Sequence, residues 1–394
     1  MKNNIYCIVA ITALLIATGL PVNAQVTPND PDFGSHQEYL RVVKADEAWS
    51  VTTGDPNENI SIIGLGGVQV THEDLQYRPS NINTTFVRDG GVNDPRSFVN
   101  MTPIAGIIGA HTNNSVGIAG VNWQSPLTVH DIAKNGTVEQ GGGLVLERSV
   151  VDDRLTTASY NNNSRLIYMP FNWSGGSEPI EIDPVGVDFP FNEEEFAEGF
   201  RSFIANTILG AARSMLQAPG VDWNNALQAA KSTYLNGSVI VTKMADYDGV
   251  FTGFPASMGA ERISISVGAL DEEFNEHYPF SSEPRADRAR AGFSDIDVSA
   301  PGQKVYTTVL DEGSAPYKEL TGTAYAGSIV TGGVSLMQDV NSNLEPDDVK
   351  EILRRTSFDV GAPGYDPAPA LAAWILKKRW IMPATEPLQE ALRK

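Results

Sequence analysis

The chain has 394 residues, of which 41% are hydrophobic and 8% aromatic, enough for one large core of the size that α/β domains commonly reach. Its 36 glycines and 24 prolines are spread along the sequence, which excludes collagen-like and low-complexity classes. A formal net charge of −20 argues against nucleic acid as a partner, because phosphate binding draws on Lys and Arg clusters that are missing here.

The first 24 residues read as a cleavable signal peptide. Lys2 gives a positive start, Ile5–Leu20 is an apolar run, and Val22-Asn23-Ala24 forms a cleavage site before Gln25. The run is broken by Thr12, Thr18 and Gly19 and stops at Pro21, which argues for export rather than a membrane anchor. No later stretch is long and apolar enough to span a bilayer. The expected location is therefore secreted or periplasmic. The one cysteine, Cys7, falls inside this leader, so residues 25–394 are expected to form one domain without a disulfide or a thiolate metal site.

Residues 25–50 read as an arm, and Gly54-Asp55-Pro56-Asn57 marks a turn before a strand at Ile60–Gly64. Pro103–Ala110 reads as a buried helix. Leu127–Ile132, Ser164–Met169, Ser238–Lys243 and Ser264–Leu270 read as short buried strands. Helical patterns cover Leu144–Ser159, Ala226–Leu235, Thr323–Leu336 and Asp347–Thr356. This alternation predicts an α/β fold with a mostly parallel central sheet and helices on both faces.

One stretch breaks the pattern. Residues 177–199 carry eight acids and no Lys or Arg, and an amphipathic segment, Phe200–Leu216, follows. Residues 177–222 therefore read as an acidic insertion, either a solvated surface excursion or a partner surface or lid. A last amphipathic helix, Leu371–Trp380, is expected to pack on the core or on a partner.

Several short blocks carry a family resemblance. Thr27-Pro28-Asn29-Asp30-Pro31-Asp32-Phe33 lies in the arm. Gly67-Val68 and His72-Glu73-Asp74-Leu75 follow the first strand, and Ala105-Gly106 precedes Asn113-Asn114-Ser115-Val116-Gly117-Ile118-Ala119-Gly120-Val121. Asn236-Gly237-Ser238-Val239-Ile240-Val241, Val298-Ser299-Ala300-Pro301-Gly302 and Leu320-Thr321-Gly322-Thr323-Ala324-Tyr325-Ala326 come later. In this order and spacing the blocks resemble the subtilisin-like serine protease family, and the arm is most similar to its thermitase-like members. The resemblance covers residues 26–360 apart from the insertion. It implies a subtilisin-like fold and, for active members, serine endopeptidase activity.

For the active site the resemblance implies a loss. The chemistry needs a hydroxyl nucleophile, an imidazole to take its proton and a carboxylate to hold the imidazole. The position of the carboxylate holds Leu65, that of the imidazole Asn100, and that of the nucleophile Ala324. A leucine cannot orient an imidazole, an asparagine cannot take a proton near neutral pH, and an alanine has no oxygen. The oxyanion-donor position holds Asp246, which when ionised offers no donor and repels the charge to be stabilised. The arm also begins within a few residues of the cleavage site, leaving no room for the pro-segment that active secreted members generally carry.

The expectation is a pseudoprotease with a protein-binding, peptide-binding or structural role. The alternative is an endopeptidase working from a rearranged site. His36, His72, His111, His130 and His277 are read as lying elsewhere than the cleft, and Ser328, one turn beyond Ala324, as pointing away from its entrance.

The resemblance also implies a retained ion site. Its side-chain donors would be Asp30, Asp74 and Asn114, joined by the main-chain oxygens of His111, Val116 and Ile118; hard oxygens of this kind suit Ca²⁺. The cleft strand reads Tyr168-Met169-Pro170-Phe171-Asn172-Trp173-Ser174-Gly175-Gly176. Pro170 removes a main-chain donor and weakens the strand addition by which the family binds extended peptide. Phe171 and Trp173 read as packing residues or as a ligand platform. A protein or peptide partner is expected through the cleft or the acidic insertion.

Overall fold

The computed structural model describes residues 26–64, 66–76, 81–84, 101–138, 144–146, 148–171, 224–244, 255, 258, 263–274, 296–310 and 315–357, and the observations below concern these. The leader, the insertion at 177–222, Leu65, Asn100, Trp173, Asp246, His277 and the segment 371–380 lie outside them.

The arm is three short helices, α1 (Phe33–His36), α2 (Glu38–Val42) and α3 (Ala45–Ala48). Strand β1 (Ile60–Gly64) follows and is buried along its whole length, its one polar side chain, Ser61, hydrogen-bonded to Ser164. After β2 (Ile82–Thr84) comes α4 (Thr102–Gly109), a helix buried at every residue. Gly106 lets it approach its neighbour closely, since a Cβ there would lie 2.1 Å from Thr308 Oγ1. Next come β3 (Leu127–Asp131), the antiparallel pair β4 (Ala133–Val138) and β5 (Leu144–Leu146), and α5 (Arg148–Thr156), which runs into a π turn at Thr157–Asn161. The rest is β6 (Leu166–Met169), α6 (Asn224–Leu235), β7 (Val239–Lys243), β8 (Ile265–Leu270), β9 (Val298–Pro301), the hairpin β10 (Val305–Thr308) and β11 (Tyr317–Leu320), α7 (Thr323–Val340) and α8 (Pro346–Thr356).

Seven strands form one sheet in the order β2-β3-β1-β6-β7-β8-β9, and every adjacent pair is parallel. Alternation along the strands divides the core into two layers. Ile60, Ile62, Val129, Tyr168, Val239 and Val241 face α4 and α7 in one cluster. Ile63, Ile132, Ile167, Met169 and Ile240 face α5 and α6 in another. The chain thus has the α/β subtilisin-like architecture, with helices on both faces of a parallel sheet.

Most expected elements appear within a few residues of their predicted bounds. One does not: Leu144–Ser159 is not a single helix. Its first three residues pair with β4, Leu144 opposite Val138 and Leu146 opposite Ala133, and helical backbone begins only at Arg148. Leu144-Val145-Leu146 satisfies a helical and an extended pattern equally, and tertiary pairing decides. The sequence pattern does not mark the strands β2, β4, β9, β10 and β11.

The arm is fixed to the body by a two-point amide bond. Ala119 N–H donates to Gln37 Oε1 at 2.7 Å, and Gln37 Nε2 donates back to Ala119 O at 2.8 Å and to Tyr39 Oη at 2.9 Å. Gln37 is fully buried. Replacing it by leucine leaves both main-chain groups of Ala119 unpaired in the interior, at about 1–3 kcal/mol each. Gln37→Leu is therefore expected to lower the urea midpoint by the equivalent of several kcal/mol; a loss under about 1 kcal/mol would mean that the arm is held by its other contacts.

Candidate active site and ion site

A parallel sheet gathers the C-terminal ends of its strands along one edge, and the connection reverses direction between β1 and β6. That reversal is where ligands bind in open α/β sheets. The described neighbours of the suspected catalytic positions meet on this edge. Gly64, which ends β1, packs against Met101 and Pro170: a Cβ on it would lie 2.7 Å from Met101 Sδ and 3.3 Å from Pro170 Cγ. Met101 precedes α4, and Met244, just after β7, offers its carbonyl to Thr323 Oγ1 at 2.5 Å. Of the positions singled out for catalysis, Ala324 is the one the structure describes. Leu65, Asn100 and Asp246 lie outside the described residues, although Gly64, Met101 and Met244, within two positions of them, reach this edge.

Ala324 sits in the first turn of α7, only 3% exposed. Its carbonyl accepts two hydrogen bonds, from Tyr168 Oη at 2.5 Å and from Ser328 Oγ at 2.8 Å. The phenol is wedged between β6 and the helix, and Gly327 makes room for it: a Cβ on Gly327 would lie 2.3 Å from Tyr168 Oη. The two nearest hydroxyls of α7 are both committed, Thr323 to Met244 and Ser328 to Ala324. Ser328 is fully buried and bonds back into its own helix, consistent with its expected orientation away from the cleft.

The described histidines serve other purposes. His72 accepts the Asp74 N–H at Nδ1 (3.1 Å) and donates from Nε2 to Pro316 O (2.9 Å), so these bonds fix its tautomer in a structural turn. His36 stacks on Tyr306 with ring centroids 4.4 Å apart. His111 lies at the start of the 111–118 loop, where its N–H donates to Asp74 O at 2.8 Å. His130 comes within 3.3 Å of Ser61 Oγ, a serine–histidine contact, but both are buried on the α5–α6 face, across the sheet from Ala324. Phe171 is buried in the α5–α6 cluster, which makes it a packing residue.

Two charged residues at the edge were not singled out from sequence. Asp131 ends β3 in register with Gly64, and its Oδ1 accepts the Gly66 N–H at 3.0 Å. Lys243 ends β7 and is among the largest fully buried side chains. Both were legible as charges closing otherwise apolar strands.

The expected ion-site residues do come together. Asp30 is 3% exposed and Asp74 0%. Asp30 accepts the N–H groups of Asn113 (2.7 Å) and Asn114 (3.0 Å), which ties the arm to the loop. Asp74 accepts Asn114 Nδ2 at 2.9 Å and the Ile118 N–H at 2.8 Å, and Asn114 Oδ1 accepts the Val116 N–H at 2.7 Å. The loop folds tightly enough to place Asn113, Ser115 and Gly117 at positive φ. Burial raises both carboxyls above their ordinary range. Asp74 is pushed up to about 7, chiefly by burial, with the Ile118 and Asn114 hydrogen bonds acting against it and a smaller upward push from the nearby Asp30 charge. Two interior acids side by side, with no Lys or Arg partner among the described residues, form a site of negative potential.

The fold and site now stand beside known proteins. Residues 66–370 match the model of the subtilase family, peptidase S8. The chain belongs to the subtilase family. Among its relatives are halolysin of Haloferax mediterranei, 26% identical over 343 residues, and thermitase of Thermoactinomyces vulgaris, 24% identical over 311 residues. The halolysin alignment takes in 86% of this chain and 52% of the relative; for thermitase the shares are 79% and 85%. This subtilase therefore spans about half the length of halolysin. In fold it is similar to fervidolysin of Fervidobacterium pennivorans, with a TM-score of 0.62 and 18% identity over 87% of this chain and 45% of that one.

The packing around Ala324 is directly testable. Gly327→Ala forces a methyl group against the Tyr168 phenol and is expected to cost about 1–3 kcal/mol in urea unfolding, the usual range for overpacking. Adding Tyr168→Phe should recover part of that loss, because the closest clashing atom is removed. No loss in the single variant would show that the phenol moves freely.

Proposed function

We propose that this subtilase is exported, does not hydrolyse peptide bonds, and uses the family scaffold to hold a protein or peptide. The observation that carries the reading is Ala324, a methyl group in the first turn of α7 where acyl-transfer chemistry requires a hydroxyl. Leu65, Asn100 and Asp246 support it from the sequence, each replacing a group of the proton relay or oxyanion hole with one unable to do its task. The scale is large: removing the triad of a subtilisin costs about a million-fold in kcat. The commitment of the Thr323 and Ser328 hydroxyls to main-chain carbonyls, and the placement of the Ser61–His130 contact on the far face, speak against a substitute nucleophile. Export rests on the leader read in residues 1–24 and accords with the extracellular serine protease of Natrialba magadii among the relatives. Among the described residues no helix is long and apolar enough to cross a membrane.

A fluorophosphonate probe is the direct test. The expected outcome is no labelled serine and no casein turnover above buffer; a labelled serine anywhere in the chain would refute the reading. Capture of partners with the whole protein and with a variant lacking residues 177–222 would then assign the binding surface. Unchanged capture would place it in the cleft.

The paired carboxylates also suit a structural Ca²⁺. Among the described residues no three His, Cys, Asp or Glu side chains converge on one point, so the shell would need the Asn114 amide and the main-chain oxygens of His111, Val116 and Ile118 beside Asp30 and Asp74. That all-oxygen set with two negative charges fits a hard cation, and the cation would neutralise two acids that burial otherwise disfavours. The pH dependence has a definite sign. Without cation, a carboxyl raised from 3.8 to about 7 contributes stability below pH 4 that is lost as pH rises through 7. In chelator the melting temperature should therefore fall between about pH 4 and 7. Calcium at hundredfold excess over its Kd should restore about 3 kcal/mol at neutral pH, and Asp74→Asn should abolish both effects. A melting temperature indifferent to calcium at pH 8 would reject the ion.

A further inference from the structure

Among the buried titratable groups that the proposed function does not use is a histidine on β3. His130, on the α5–α6 face of β3, is 0% exposed, and its Nδ1 has no hydrogen-bond partner. Its Nε2 lies 3.3 Å from Ser61 Oγ on β1 and 3.3 Å from Asn162 Nδ2. Ser61 Oγ shares a 2.7 Å hydrogen bond with Ser164 Oγ. Asn59 Nδ2 donates to that same Ser164 hydroxyl at 2.5 Å, and Asn59 Oδ1 accepts from Thr128 Oγ1 at 2.8 Å. These polar side chains fasten the segment after the π turn to a sheet face otherwise lined by Ile63, Ile132 and Ile167.

That segment carries two departures from regular backbone, the π turn itself at Thr157–Asn161 and Asn163 at φ 49°, both of which mark backbone held by its surroundings. The neutral imidazole suits it, because an unprotonated Nε2 accepts from the Asn162 amide. An added proton makes both ring nitrogens donors. Nε2–H can then donate to Ser61 Oγ but no longer accepts from the Asn162 amide, Nδ1–H still lacks an acceptor, and a charge sits in an apolar layer. The charged groups facing the ring are Arg154, which opposes the proton, and Asp153, which favours it, both on α5. β1 and the 162–164 segment face it with the neutral Ser61 and Asn162.

We propose that residues 157–164 form an acid-released latch, in which protonation of His130 frees the π turn and the segment after it while the rest of the sheet and α7 remain folded. The latch does not depend on the reading of the cleft. It lies at the start of β6, the strand that leads to Tyr168 and Pro170, so its release loosens one end of the cleft strand.

Hydrogen exchange on the full-length protein, with calcium present at both pH values, tests this. Burial, reinforced by Arg154, lowers the imidazole from 6.5 to about 4 in the closed form. Once released it titrates normally, so opening gains on the order of 50-fold between pH 7 and pH 4.5. After correction for intrinsic rates, amides of 157–164 should lose that much protection while β7 and α7 keep theirs, and His130→Gln should remove the pH dependence. Unchanged protection of 157–164 at pH 4.5, or loss shared evenly by the whole sheet, overturns the latch. Should His130→Gln fail to fold, the wild-type ring resonances decide: titration near 6.5 with the segment still protected refutes the proposal.

Discussion

A sheet whose strands all run one way, covered on both faces, leaves its C-terminal edge as the one place where loops from many strands must meet. Everything functional here follows from that constraint. β1 lies in the middle of the sheet, and the chain goes first to one side of it, to β3 and β2, and then to the other, through β6 to β9. Gly64, Met101, Pro170, Met244 and Ala324 come from five distant parts of the sequence, and the parallel topology gathers them at this edge. Ala324 brings a methyl group to this edge from the first turn of α7.

A second constraint is electrostatic. A chain this acidic keeps most of its charge in solvent, yet Asp30 and Asp74 are interior. Main-chain and amide N–H groups of the 113–118 loop surround them, so the loop's left-handed turns exist to aim donors at carboxylates. The hairpin β10–β11 closes the region from outside, with Tyr317 donating to Glu73 at 3.0 Å and His72 to Pro316. The same hairpin reaches α4, where Thr307 and Thr308 donate to the carbonyls of Pro103 and Thr102. Ion loop, hairpin and the helix beside the cleft thus form one hydrogen-bonded body.

The parts legible in the sequence were those where local pattern and burial agree. β1, β6 and β7 are apolar runs bounded by turn residues, and each appears within two residues of its expected start. Asp30, Asp74 and Asn114 stand out through motif order, and hydrogen bonds join them in the structure. Leu144–Leu146 misled because three apolar residues carry no period. The hairpin went unseen because Val305–Thr308 and Tyr317–Leu320 acquire their meaning from α4 and the 72–74 turn, far away in sequence. Tyr168 was read as part of a cleft strand, yet its phenol turns inward to Ala324, a contact that only the packing of Gly327 reveals.

The amide of Gln37 has a wider consequence. By accepting from and donating to the same residue, it pairs with Ala119 as a neighbouring strand would, and it does so without any charge. The arm's moorings are consequently of two kinds, among them the charged Asp30 carboxylate on the main chain of Asn113 and Asn114 and the neutral Gln37 amide on Ala119. Protonating the Asp30 carboxylate weakens only its charge-assisted bonds, so the Gln37–Ala119 pair keeps the N-terminal helices docked when the loop contact loosens.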